Sequence, residues 1–181
     1  MFDRPRLPIA LAVLLLLMPQ YVYVIGDYLA AGIRFPFFRV QVAFPSVTAH
    51  GNTTAGNLTV STITVMREVQ FISMGIVGKA TGRTAVATYL WLAGLAILVL
   101  AVVLVLSWKV LDNPGHGRFP GPLVIVAGLV FLAWGAVQFG PLYSGPSGYA
   151  IPIGIPFVLY IGYLFMKAAK RDGEKAEKPA S

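Results

Sequence analysis

Gln20 and Gln138 are the strongest polar groups inside four long apolar runs that contain no Asp, Glu, Lys, Arg or His. Ionisable groups within a bilayer are costly and mark proton relays and ion-coupled carriers. Their absence from these runs argues against such a device built from this chain alone. The two amides read instead as hydrogen-bonding contacts between helices. Tyr21, Tyr23, Trp134 and Tyr160 are candidates to line a lipid or quinone cleft, although aromatics of this kind also pack helices and anchor their ends. His50 and His116 lie in separate loops, and neither has a carboxylate at ligand spacing, so no metal site is expected. The stretch GIVGKATGR from Gly75 fails the phosphate-loop pattern, with Ser73 where the first glycine belongs and Ala80 after Lys79. The chain has no cysteine, which removes disulfides, thiolate metal sites and cysteine nucleophiles. No cofactor is expected.

A polar stretch, HGNTTAGNLTVSTITV from His50 to Val65, interrupts this greasy chain. It carries two Asn-x-Thr sequons, so Asn52 and Asn57 are candidate glycosylation acceptors if the segment lies outside the cell. The run FRVQVAF alternates, with Val40, Val42 and Phe44 opposite Arg39, Gln41 and Ala43. LTVSTITV is rich in β-branched residues, and REVQFISM alternates Val69 and Phe71 with Glu68 and Gln70. An antiparallel sheet of three or four strands is expected. Thr48, Thr53, Thr54, Thr59, Thr62 and Thr64 read as solvated strand surface and turn. Asp27 and Glu68 are expected to pair with local arginines at the surface.

These segments sit in a chain of 181 residues that is 57% hydrophobic and 12% charged, with a mean hydropathy of +0.75. A soluble domain is nearer a quarter charged, so an integral membrane protein is expected. Spans are predicted at 7–26, 85–107, 122–142 and 150–166, each near the length that crosses a bilayer. Residues 1–26 would be the cytoplasmic N-terminus and first span, and 27–84 an outer β-rich domain. An inner loop at 108–121, a short outer loop at 143–149 and a charged tail at 167–181 complete the expected order. Arg4, Arg6, Lys109, Arg118, Lys167, Lys170, Arg171, Lys175 and Lys178 then share one side, which the positive-inside rule makes the cytoplasm. The net charge of +7 is read as this anchoring and not as a nucleic-acid surface. The start MFDRPR before LPIALAVLLLLM also has the form of a secretory signal, but no small-x-small cleavage site follows. Gly94 and Ala101, like Gly128 and Gly135, are spaced by seven and lie on one helix face, where small residues let backbones approach.

One span, an outer β-rich loop and three further spans is an order that resembles the claudin-type tetraspan membrane proteins. The resemblance is one of topology. That family's outer loop carries a Trp, a Gly-Leu-Trp triplet and paired cysteines, whereas 27–84 has neither Trp nor Cys, so no site residue carries over. The expected protein is therefore a four-helix transmembrane bundle with a small antiparallel β extracytoplasmic domain between helices 1 and 2. Its expected role is that of a non-catalytic interaction or accessory subunit. The lipid bilayer and other membrane or envelope proteins, or a second copy, are its expected partners, with both termini in the cytoplasm. The alternative is a lipid- or quinone-binding component of a membrane enzyme or carrier whose site another chain completes.

Overall fold

Pro19 decides the first element. Proline lacks the N–H that a helix needs and disfavours helical geometry in the residue before it. In the computed structural model, helix α1 (Arg6–Leu17) stops just ahead of it. The chain then enters strand β1 (Tyr21–Ile25), whose YVYVI sequence suits a pleated surface. The structure describes residues 6–26, 30–43, 46–49, 52–55, 58–73, 82–110 and 119–177.

Strands β2 (Ala30–Arg34), β3 (Phe38–Ala43), β4 (Ser46–Ala49), β5 (Asn52–Ala55) and β6 (Thr59–Thr64) follow, then helices α2 (Val65–Ser73), α3 (Gly82–Val110) and α4 (Pro120–Phe139). Strands β7 (Ser144–Gly145) and β8 (Gly148–Ile151) lead into helix α5 (Ile155–Glu177). Six strands form one sheet in the order β6-β3-β2-β1-β8-β7, and every neighbouring pair is antiparallel. Strands β4 and β5 make a separate two-stranded sheet.

The expected four-helix transmembrane bundle with a self-contained β domain between helices 1 and 2 is overturned. Among the described residues there are five helices, and two, Gly82–Lys109 and Pro120–Phe139, are long and apolar enough to cross a membrane. At 1.5 Å per residue, α3 and α4 extend about 43 Å and 30 Å, against a hydrocarbon core of about 30 Å. The 12 residues of α1 reach about 18 Å, because its apolar run is divided between helix and strand. The apolar part of α5, Ile155 to Met166, is also about 18 Å long, because Gly148–Ile151 pairs as a strand and Lys167 begins the charged tail. The sheet is no insertion between two helices either: β1 comes from the first apolar run, and β7 and β8 come from beyond α4.

REVQFISM is a second correction. It falls mostly in α2, where Val65 and Glu68 share a buried face and Met66 and Arg67 are exposed. Its alternation spans too few residues to separate a period of 2 from one of 3.6.

The helices pack beneath the sheet. Trp91, Leu98 and Val105 of α3, Val124, Phe131 and Trp134 of α4, and Val158 and Phe165 of α5 form a buried core with Leu15 of α1 and Tyr21 of β1. Gly94 lets the Phe131 ring lie against the α3 backbone, since a Cβ there would sit 2.8 Å from Cε1. Gly128 gives the same access to Leu159 of α5, and Ala101 is fully buried. Only 33% and 39% of the two membrane-length windows is buried. Leu100 and Val103 on α3 and Val126 and Leu129 on α4 face outward, as lipid-facing helices require and the core helix of a soluble domain does not. The chain is membrane-associated by this length, composition and exposure.

Candidate functional site

Antiparallel register brings three side chains into one row under the sheet. Tyr21 of β1 stands opposite Arg34 of β2, and Arg34 opposite Arg39 of β3. Strand side chains alternate between faces, so Tyr21, Tyr23, Arg34 and Arg39 share the face that meets the helices. Tyr21 donates to the Phe131 carbonyl of α4 at 2.7 Å. Gly135, one turn on, leaves room for that hydroxyl, which would lie 2.8 Å from a Cβ at this position.

Arg34 is the centre of the arrangement. Its guanidinium carbon lies 4.1 Å from the centroid of a Trp91 ring and 4.6 Å from that of a Trp134 ring. Its Nη1 and Nη2 donate to Glu68 Oε1 at 3.1 Å and Oε2 at 2.7 Å. Such a two-pronged pair is stronger and more directional than a single contact. Trp91 is oriented in turn by a 2.8 Å hydrogen bond from Nε1 to the Pro36 carbonyl. Arg39 Nε lies 3.1 Å from Glu68 Oε1, a charge contact that is not an aligned hydrogen bond. The expected surface pairing of Glu68 is thus corrected: its partners are arginines, but it is 8% exposed and Arg34 4%. Burial lowers the affinity of Arg34 for its proton, and the Glu68 carboxylate opposes that loss. Burial pushes the Tyr21 phenol up, with Tyr143 adding to the effect. The Tyr23 phenol is raised by burial too, against the pull of Arg39 and Arg34.

A cavity of about 70 Å³ opens beside this cluster. Tyr23, Arg34, Arg39, Glu68, Thr84, Thr88 and Gln138 supply its polar wall, and Ile25, Trp134 and Phe139 its apolar wall. Tyr23 Oη, Arg34 Nε and Arg39 Nε are buried and make no hydrogen bond within the described protein. Thr88 donates its hydroxyl to the Thr84 carbonyl at 3.0 Å. Arg83, near the start of α3, donates to the Val137 carbonyl in the last turn of α4, closing one of the carbonyls a helix end leaves open.

The opposite face of the sheet is apolar. One row runs Ile151, Val22, Ile33, Val40 and Thr62 across five strands. The next runs Tyr149, Val24, Ala31, Val42 and Val60. Ile33, Val60, Tyr149 and Ile151 are exposed, and neither row contains a charge.

The sequence candidates distribute as follows. Gln138 lines the cavity from α4. Gln20 is buried between α1 and β1, where its amide donates to the Met18 carbonyl at 3.1 Å and its backbone accepts from Gly154. Tyr21 and Trp134 are brought together, 4.8 Å between ring centroids, whereas Tyr160 stays apart and exposed on α5. Asn52 begins β5; Asn57, Asp27, His50 and His116 lie outside the described residues. Thr59, Thr62 and Thr64 are exposed on β6. The described residues hold no group of three or more His, Asp or Glu that could bind a metal. Sequence reasoning missed Arg34 and Arg39 as site residues, since isolated arginines in a polar loop look like solvated charge. It also missed Gly121 and Gly162, each of which would place a Cβ about 3 Å from the other's carbonyl oxygen across α4 and α5. Compared with known proteins, the chain matches no family model, no curated protein and no solved structure.

Proposed function

We propose that this is a non-catalytic membrane protein acting as an interaction or accessory subunit, which docks another protein of the membrane or envelope on the outer face of its sheet. The observation that carries this reading is the pair of charge-free apolar rows on that face. Five strands at about 4.8 Å spacing and about 17 Å of strand length make a flat area on the order of 300–400 Å². That suits the apolar centre of an interface, with Thr62 and Thr64 of β6 at its polar rim. The buried ion pair and tryptophans behind the sheet hold it against the helices, so the face is presented as a rigid surface. We place the sheet outside the cell and the opposite end, with Lys109, Lys167, Lys170 and Arg171, in the cytoplasm, following the positive-inside rule.

A photo-crosslinker placed at Ile33 and, separately, at Val60 in native membranes tests the reading. The expected result is one and the same protein adduct from both positions, lost when Val42→Lys is added while the folded yield stays constant. Adducts to lipid alone would overturn it. The cavity gives the alternative, a lipid- or quinone-binding component, limited support. Its volume of about 70 Å³ is far below the roughly 300–1,000 Å³ of pockets that enclose drug-sized ligands. That alternative requires a second chain to enlarge the site.

A further inference from the structure

The cavity beneath the sheet carries a charge imbalance. Two guanidiniums, Arg34 and Arg39, face one carboxylate, Glu68, and among the described residues no other Asp, Glu, Lys or Arg lines the wall. Arg34 is buried and Arg39 half-buried, its side chain 24% exposed; a partly desolvated charge without a counter-charge costs free energy, and an unpaired buried donor adds to that cost. Three buried groups of the wall, Tyr23 Oη, Arg34 Nε and Arg39 Nε, remain without a hydrogen-bond partner among the described residues. Glu68 offsets one of the two guanidinium charges through its paired bonds to Arg34, so the charge left over among these groups is that of one singly charged acceptor. A dianion such as sulfate would overcompensate the imbalance.

Size and lining narrow the class. A cavity needs on the order of 10–15 Å³ to hold one water, so about 70 Å³ accommodates roughly five small atoms. A short carboxylic acid has about that many heavy atoms. Ile25, Trp134 and Phe139 form an apolar wall that suits a hydrocarbon body and gives an inorganic ion nothing to bond. We propose that this cavity is a binding site for a small organic monoanion, a short-chain carboxylate whose oxygens are taken by Arg39 and Tyr23 while its carbons meet Trp134 and Phe139. The site is independent of docking on the outer face, and neither proposal requires the other.

The test titrates the purified full-length protein in mild detergent with propionate, and with sulfate at matched ionic strength, following tryptophan emission and thermal unfolding. Trp134 in the wall reports occupancy directly. Propionate is expected to give a saturable emission change and a rise in Tm, and sulfate neither. Gln138→Glu puts a carboxylate in the wall and is expected to weaken propionate at least tenfold, as is Arg39→Gln. Arg67→Gln, on the exposed side of α2, should leave binding unchanged. Where Arg39→Gln fails to fold, Gln138→Glu decides. Octanoate in parallel separates the sources of this chemistry: tighter binding than propionate assigns the site to a fatty-acid headgroup, weaker binding to a free small acid. No saturable response in the folded wild type, an equal response to sulfate, or unchanged binding in Gln138→Glu would each overturn the proposal.

Discussion

Neutralising Glu68 is the sharpest test of how this protein holds its sheet. The Arg34 and Glu68 side chains are 5% and 9% exposed, and two hydrogen bonds join them. Glu68→Gln keeps the volume and one acceptor but leaves the Arg34 cation without its counter-charge. Removing one partner of a buried pair costs about 3–5 kcal/mol. Two features pull the expectation to the lower end. Trp91 and Trp134 still face the guanidinium, a contact worth about 1–2 kcal/mol each when desolvated. The Arg39 side chain is 24% exposed and can turn towards water. A loss of about 3 kcal/mol, roughly a hundredfold in the folding equilibrium, is expected. The assay is denaturant titration in mild micelles followed by tryptophan emission, because two of the three tryptophans in the chain lie against Arg34. Replacing both partners, Arg34→Met with Glu68→Leu, should recover most of the loss, since apolar side chains of similar size commonly substitute for a buried pair without penalty. A Glu68→Gln protein within 1 kcal/mol of wild type, or a double variant as unstable as the single, would refute this account of the cluster.

Other expectations follow from individual contacts. Tyr21→Phe removes the hydrogen bond to the Phe131 carbonyl and should cost about 1 kcal/mol with the fold intact, measured by the same titration. Gly94→Val places methyl groups where the Phe131 ring lies; overpacking of this kind costs about 1–3 kcal/mol, and a disulfide-trapping experiment between α3 and α4 should show their separation increased. Gly154→Ala meets the backbone of Pro19 and Gln20, which cannot yield as a side chain can, so lower folded yield is expected than from Gly82→Ala, whose Cβ meets nothing. Alkaline pH should destabilise the protein. Tyr21 and Tyr23 are raised above the ordinary value of 10.0, so the unfolded chain sheds protons that the folded chain retains. Their contribution is complete below pH 10 and falls above it by up to about 1.4 kcal/mol per pH unit for each tyrosine. Stability measured between pH 9 and 11.5 should decline accordingly, and less steeply in Tyr21→Phe.

The sequence by itself determined what depends on neighbours along the chain. Leucine- and valine-rich windows long enough to cross a bilayer identify α3 and α4. The alternation of FRVQVAF marks β3. The seven-residue spacing of Gly94 and Ala101, and of Gly128 and Gly135, is likewise a pattern along the chain; that Gly94 meets Phe131 and Gly128 meets Leu159 is a matter of packing. Tertiary structure decided the rest. A strand such as YVYVI within an apolar run looks like the continuation of a helix until partners on both sides satisfy its backbone, and those partners, β2 and β8, include one more than a hundred residues away. Helix α2, where an alternating strand was expected, puts Glu68 beneath the sheet beside Arg34 and Arg39. The cavity, the charge imbalance within it and the apolar outer face are all products of register. Side-chain alternation assigns each residue to one of two faces, but strand pairing alone decides which residues meet there.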